Sequence, residues 1–553
     1  MRCADAMKRL FAIFLEKQIP RLHPCGAQKR RALGTPALPQ STQKRRALGT
    51  PAALGMTAFF LAAWALPASA HVGSPDVFLE GNAGPYKLFV TVRVPQVIPG
   101  IAEIEIRSES NAVSAIRIAP MQLTGPGSQY APAPEAAERS KDDPQFFRGS
   151  LWLMEFGSLQ VRVEADGASG KGLLAVPIPA VAQRMLPMQR SLGLLLFGLM
   201  IVLSLAMVSI VAAAVREGNV APGSAAPAAR KRRVKFAAAI ASFVVAAVLA
   251  LGGLWWRADA RQYATHIYAP PQIEATVSPE GQLTLRPAPM RITSGNPRRP
   301  ADWIDFNDLM LDHEHLMHLF LVRSPGMDVF WHLHPERAGS GGFTQNLPAM
   351  PAGHYQIFAD VVLRSGFPVT MIGQIDLPSA IAGKPLSGDD SGIDGKSIGS
   401  EENATAEFSL PDGGRMIWER DGQPGQPLRA GVPLILRFLV ADRLGNAVQD
   451  LEPYMGMPAH AAIVRSDGSV FAHVHPTGSV PMASFELAQA SLPGSSMSMP
   501  GTMTMSMPQM PGDKIAPEIS IPYGFPKPGP YRVFVQVKRG GQIETAFFDA
   551  TVN

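Results

Sequence analysis

The sequence predicts a mainly β protein: three immunoglobulin-like or cupredoxin-like β-sandwich domains plus two transmembrane α-helices. Three observations lead there. Short runs of alternating apolar and polar residues, separated by Pro and Gly, recur along most of the chain, with the period of two that a half-buried strand requires. Two uncharged apolar runs are long enough, at about 1.5 Å per helical residue, to cross a hydrocarbon core of about 30 Å. The C-terminal half carries two copies of one module.

Residues 1–70 are predicted to be a doubtful upstream extension followed by a signal peptide. The decapeptide QKRRALGTPA occurs at Gln28–Ala37 and again at Gln43–Ala52, as translated upstream DNA would. Lys44-Arg45-Arg46, the apolar run Met56–Leu66 and the small residues Ala68 and Ala70 then follow in the order of a secretory signal. Cleavage there would make His71 the N-terminus, a weak candidate copper ligand through its α-amine and imidazole. Both cysteines, Cys3 and Cys25, precede that point, so the mature chain is expected to offer neither disulfide nor thiolate.

Residues 71–190 are predicted to form the N-terminal sandwich, with strands such as Tyr86–Val94, Ile101–Ser108 and Leu159–Ala165. Transmembrane helices are predicted at 191–215 and 236–256. The loop between them, 216–235, carries Arg230, Lys231, Arg232, Arg233 and Lys235. Basic loops stay in the cytoplasm, and Trp255 and Trp256 suit the opposite interface. This places the chain in an inner (cytoplasmic) membrane, with its N- and C-terminal domains on the periplasmic or extracellular side. The spans hold no ionisable residue, so anchorage is expected of them and not transport. Residues 257–377 and 404–553 read as two further sandwiches, and 378–403 as a linker by composition.

The formal charge of +5 is modest, and much of the basic excess sits at the N-terminus and in the loop near residue 230, which excludes a nucleic-acid face. No Gly-rich phosphate loop, zinc knuckle or nucleophile elbow is present, and an enzymatic role is the less favoured expectation.

The chemistry concentrates in the repeated modules. His318 matches His460, Arg323-Ser324 matches Arg465-Ser466, and FWHLHP (Phe330–Pro335) matches FAHVHP (Phe471–Pro476). Reading backwards, Met455 falls opposite His313 and Met457 opposite His315. Module one is therefore H-x-H-x-x-H…H-x-H and module two M-x-M-x-x-H…H-x-H. Two residues apart on a strand is the same face, so His332 and His334 point together, as do His473 and His475. Hairpin pairing would set His318 across from His332 or His334, and His460 across from His475, at Cβ separations of about 4.5–5.5 Å. Imidazole suits copper, zinc, iron and nickel, and thioether favours Cu(I). The stretch Ser495–Asp513 adds Met497, Met499, Met503, Met505, Met507 and Met510 among Ser, Thr, Pro and Gly, a background that cannot bury them. Copper is the expected ion, with zinc ranked below it. The bland alternatives are histidines that hydrogen-bond backbone or carboxylates such as Asp312 and Glu314, and a Met loop that serves as an adaptable surface for a partner protein. His266 and His354 stand alone.

The MHLF…HLHP-and-PAG-Y-FAD pattern of Leu316–Val361, weaker over Ala459–Val537, resembles modules of bacterial envelope proteins, some joined to copper-related domains. The segment from His71 through YKLFVTVRVP is similar to YtkA-like and CopC-type immunoglobulin-like domains, without the other ligands expected of the latter. The resemblance implies copper handling by association. The expected function is a membrane-anchored envelope protein that binds copper for sequestration or trafficking, with the bilayer and an envelope copper protein as partners. The runner-up is an assembly protein whose sandwiches bind another envelope protein. A metal-dependent oxidase or hydrolase ranks last.

Overall fold

The computed structural model describes residues 76–553 except 219, 222, 225–229, 293–301, 340, 396–405, 421–427 and 495–514. The signal peptide, Cys3, Cys25, His71, the six methionines Met497–Met510 and the second part of the expected linker lie outside the described residues. The described chain is mainly antiparallel β-sheet, with two long apolar helices.

In the N-terminal portion the letters translate directly. Gly100–Ser108 alternates buried and outward residues almost strictly, as GIAEIEIRS requires. One sheet runs Asp76–Ala83, Tyr86–Arg93, Gly100–Ser108, Phe146–Leu153, and a second holds Val113–Gln122, Gly157–Gly167 and Gly170–Ala180. Leu88, Val90, Ile104 and Ile106 meet Ile118, Val161, Val163 and Val176 in a shared core.

The helices Arg190–Glu217 and Arg230–Ala264 are long and apolar enough to cross a membrane, and neither buries a residue. Both outrun the predicted spans. Arg230–Lys235, expected in a loop, form the first turns of the second helix, and Arg257–Ala264 extend it past Trp256, because Ala, Arg and Lys propagate a helix as readily as apolar residues do. Two attachments tie the hairpin's base to the domains: Ala182 bridges Ile267 in parallel, and the Tyr268 amide donates to the Ala182 carbonyl at 2.8 Å.

Each C-terminal module has its own core between two sheets. Leu283, Leu285 and Phe343 face Leu319, Leu321 and Ile357 in module one; Met416, Trp418 and Phe438 face Ile463, Val533 and Val535 in module two. In the inner sheets the hairpins His318–Ser324/Val329–Leu333 and His460–Arg465/Phe471–Val474 pack against the long strands Gly353–Leu363 and Gly529–Arg539. These hairpins are buried on both faces, as continuous apolar runs such as HLFLV imply.

What covers the second face is the other module. Phe320, Val322, Phe330 and Phe358 meet Ala462, Val464, Phe471 and Phe534 in one apolar cluster. Phe330 stacks on Phe534 with ring centres 4.1 Å apart and planes at 10°; Phe471, its counterpart, stacks on Phe358 at 4.3 Å and 6°. The exchange of equivalent residues is the signature of a two-fold interface, here between two halves of one chain.

Two elements differ from the sequence reading. Within the expected linker, Ser391–Asp394 forms an edge strand on Val329–His332; a polar, Gly-rich stretch can complete a sheet because backbone groups alone make the ladder. After His475 the chain forms a helix, Met482–Ala490, that packs on the N-terminal portion through Phe485, with Val480 just before it in the same core.

Candidate metal centre

The site begins in two tight turns. Asp312 and His315 exchange both main-chain hydrogen bonds (2.8 and 3.0 Å), and Tyr454 and Met457 do the same at the same distances. The central residues all have positive φ: His313 50°, Glu314 70°, Met455 50°, Gly456 77°. That matches His313 with Met455 and His315 with Met457, as aligned from sequence. Only module two places a glycine where it relieves this conformation. Glu314 is exposed, so Glu314→Gly is expected to raise stability by about 0.5–1 kcal/mol, read as a higher unfolding midpoint with unchanged cooperativity.

From these turns, main-chain carbonyls orient three imidazoles. His318 Nε2–H donates to the Asp312 carbonyl and His460 Nε2–H to the Tyr454 carbonyl, each at 3.1 Å; His313 Nδ1–H donates to the Met455 carbonyl at 2.8 Å. A carbonyl only accepts, so the opposite nitrogens, His318 Nδ1, His460 Nδ1 and His313 Nε2, carry lone pairs. In the same way His332 Nδ1–H donates to Gln536 Oε1 at 2.9 Å, which leaves its Nε2 unprotonated. His318 Nδ1 then faces His332 Nε2 at 3.1 Å, and His460 Nδ1 faces His473 Nε2 at 3.2 Å. In the first pair the two lone pairs repel unless a cation lies between them. With metal–nitrogen bonds of about 2.0–2.1 Å, two ligands of one ion sit about 2.9–3.4 Å apart, which is the spacing of His318 and His332.

Among the described residues two groups of three histidines converge, with their ligand nitrogens within 4.8 Å of one another: His318, His332 and His473, and His313, His460 and His475. Each group mixes the two modules. His313 Nε2 and both ring nitrogens of His475 are buried with no hydrogen-bond partner, as expected of atoms reserved for an ion. Ring centres of His318, His332 and His334 lie 4.7–5.4 Å from one another, so these side chains converge. Burial pushes His318 and His332 down to about 3, and burial followed by neighbouring imidazoles holds His334, His460, His473 and His475 well below the usual histidine range. At neutral pH all six are therefore neutral, the form that binds metal.

The other sequence candidates take different places. His315 and His334 stand outside both triads, stacked at 3.9 Å; His315 Nε2 pairs with Asp389 Oδ2 at 3.2 Å and His334 Nδ1 with Asp390 Oδ1 at 3.1 Å. Met455 enters through its carbonyl, and Met457 is buried in the turn. Sequence reasoning missed Asp389 and Asp390, taken as linker, and Gln536 with its counterpart Asp360, whose Oδ2 lies 3.7 Å from His473 Nδ1. The signal for that second pair was a polar residue at one shared position of an otherwise apolar strand.

The profile of a domain of unknown function, DUF8832, matches residues 421–553, within module two. No curated protein matches the chain. Among solved structures, an α-2-macroglobulin from Salmonella reacted with methylamine aligns over 88% of this chain and 24% of its own at 8% identity (TM-score 0.18). An ICAM-5 D1–D4 ectodomain fragment aligns over 85% and 77% at 10% identity (0.14), and a putative membrane anchored protein from Corynebacterium diphtheriae over 86% and 94% at 9% identity (0.14). The chain thus spans about a quarter of the first of these. Superpositions at this level fix neither fold nor activity.

Proposed function

We propose that this protein is a membrane-anchored copper-binding protein of the cell envelope that holds two ions between two immunoglobulin- or cupredoxin-like modules. One observation carries the reading: carbonyls and an amide oxygen set the tautomers of His313, His318, His332 and His460 so that unprotonated nitrogens converge in two buried triads. Such outer partners are what orient metal-ligating imidazoles. All-imidazole triads would accept zinc as well; the methionine-rich stretch 495–513 favours copper. A buried site released only by protonation or module opening suits retention of the ion better than rapid exchange. The helix hairpin anchors the chain with Arg230–Lys235 on the cytoplasmic side and the modules outside.

The test is copper content of the purified full chain after competition with a chelator. Two copper ions per chain are expected, one in either His318→Ala or His313→Ala, and none in the double variant. A wild-type chain that retains no copper overturns the reading, and equal zinc and copper retention overturns the choice of metal.

A further inference from the structure

Histidines of the two modules touch one another directly across the interface. Ring centres of His318 and His473 lie 5.1 Å apart, those of His332 and His473 5.4 Å, and those of His332 and His460 6.3 Å, the spacing of rings in contact. His473 stands at the centre of this contact. Its Nδ1 is turned to Asp360 Oδ2 at 3.7 Å, so Nε2 is the nitrogen it offers to an ion. His473 belongs with His318 and His332 in the first triad, yet its Nε2 lies 3.2 Å from His460 Nδ1, the lone-pair nitrogen of a second-triad ligand.

Bond lengths turn that contact into a distance between ions. An ion on the first triad sits about 2.0–2.1 Å from His473 Nε2 and an ion on the second equally far from His460 Nδ1; with 3.2 Å between these nitrogens, the ions are less than about 7.5 Å apart. Positive charge so concentrated in a buried site needs countercharge. Carboxylates supply it from several sides. Asp312, 6% exposed, brings Oδ2 to 4.0 Å from His318 Nε2, and its Oδ1 is held by the Ala483 amide at 2.8 Å. Asp360 faces His473, and Asp389 and Asp390 stand behind His315 and His334.

We infer that the two triads are one binuclear copper centre, with His473 at the junction of its halves. The inference rests on the copper reading above and adds that the ions are not independent: each lies within the electrostatic and magnetic reach of the other.

The test is electron paramagnetic resonance on the full chain in detergent, loaded with a Cu(II) salt in the absence of reductant and frozen. At two Cu(II) per chain, dipolar coupling should broaden the main spectrum and give a half-field line. Signal missing relative to the Cu(II) counted after acid release under argon marks the same coupling. His313→Ala removes a partly exposed ligand of the second triad alone. That variant, shown to be folded by circular dichroism, should hold one Cu(II), return a sharp isolated spectrum and lower the half-field line per copper at least tenfold. Two isolated Cu(II) spectra in a chain that holds two ions overturn the binuclear centre and leave the copper reading standing. A half-field line at full strength in folded His313→Ala protein assigns the coupling to contact between chains and overturns the centre as well. A chain that retains no copper removes both, so copper content tells the two failures apart.

Discussion

Metal-free protein is expected to lose stability on mild acidification, as pH falls below about 6.5. An unfolded histidine takes up its proton near pH 6.5, whereas His318 and His332 in the folded chain resist it down to about 3. Their contribution is therefore fully present above about pH 6.5 and is lost as pH falls through that window, at about 1.4 kcal/mol per pH unit for each group. His334, His460, His473 and His475 are depressed in the same direction. Asp360 and Glu486 oppose them: burial raises both to about 7, so their contribution grows as pH falls from about 7 towards the ordinary carboxylate range. Burial raises Asp76, Asp390 and Glu544 as well, so the loss of stability is carried by the excess of depressed histidines over these acids. Melts between pH 8 and 4 by circular dichroism would show it. Copper-loaded protein should hold its fold to lower pH, because each ligand must first release the ion. A melting temperature flat across this range in metal-free protein would mean that the imidazoles are solvated and not enclosed.

How much of this was legible depends on which link of the chain is asked about. Period-two strands such as Gly100–Ser108 and the histidine spacing are local properties, so letters suffice. The internal repeat carried more. It matches His313 with Met455, which take equivalent places in the paired turns, and it sets His318 and His460 at equivalent places. What it could not carry was the partner of each hairpin's second face. HLFLV announces that both faces are covered, but nothing in those residues says that Phe330 meets Phe534 from the other module. That pairing decides the ligand sets, since each triad borrows from across the interface. His315 and His334 show the converse: spacing alone made them ligands, and tertiary contact with Asp389 and Asp390, from a stretch whose composition reads as linker, gave them carboxylate partners.

The same dependence makes Phe471→Ala the most damaging substitution outside the ligands. Phe471 is 1% exposed, stacks on Phe358 and lies 4.9 Å from Phe320, so its removal opens a cavity on the shared face and should cost about 3–5 kcal/mol. The effect on copper should exceed what a stability loss alone brings. His473 stands two residues further along the same strand on the same face, and His475 follows it, so a module that shifts by a fraction of an ångström withdraws one ligand from each triad at once. Leu174→Ala is the control: equally buried, but in the N-terminal core, it should lower the denaturation midpoint and leave two copper ions per chain. Denaturation and copper content measured side by side on folded protein separate the two. If Phe471→Ala kept full copper while losing stability, the triads would have to form within single modules, and the interface would be packing alone.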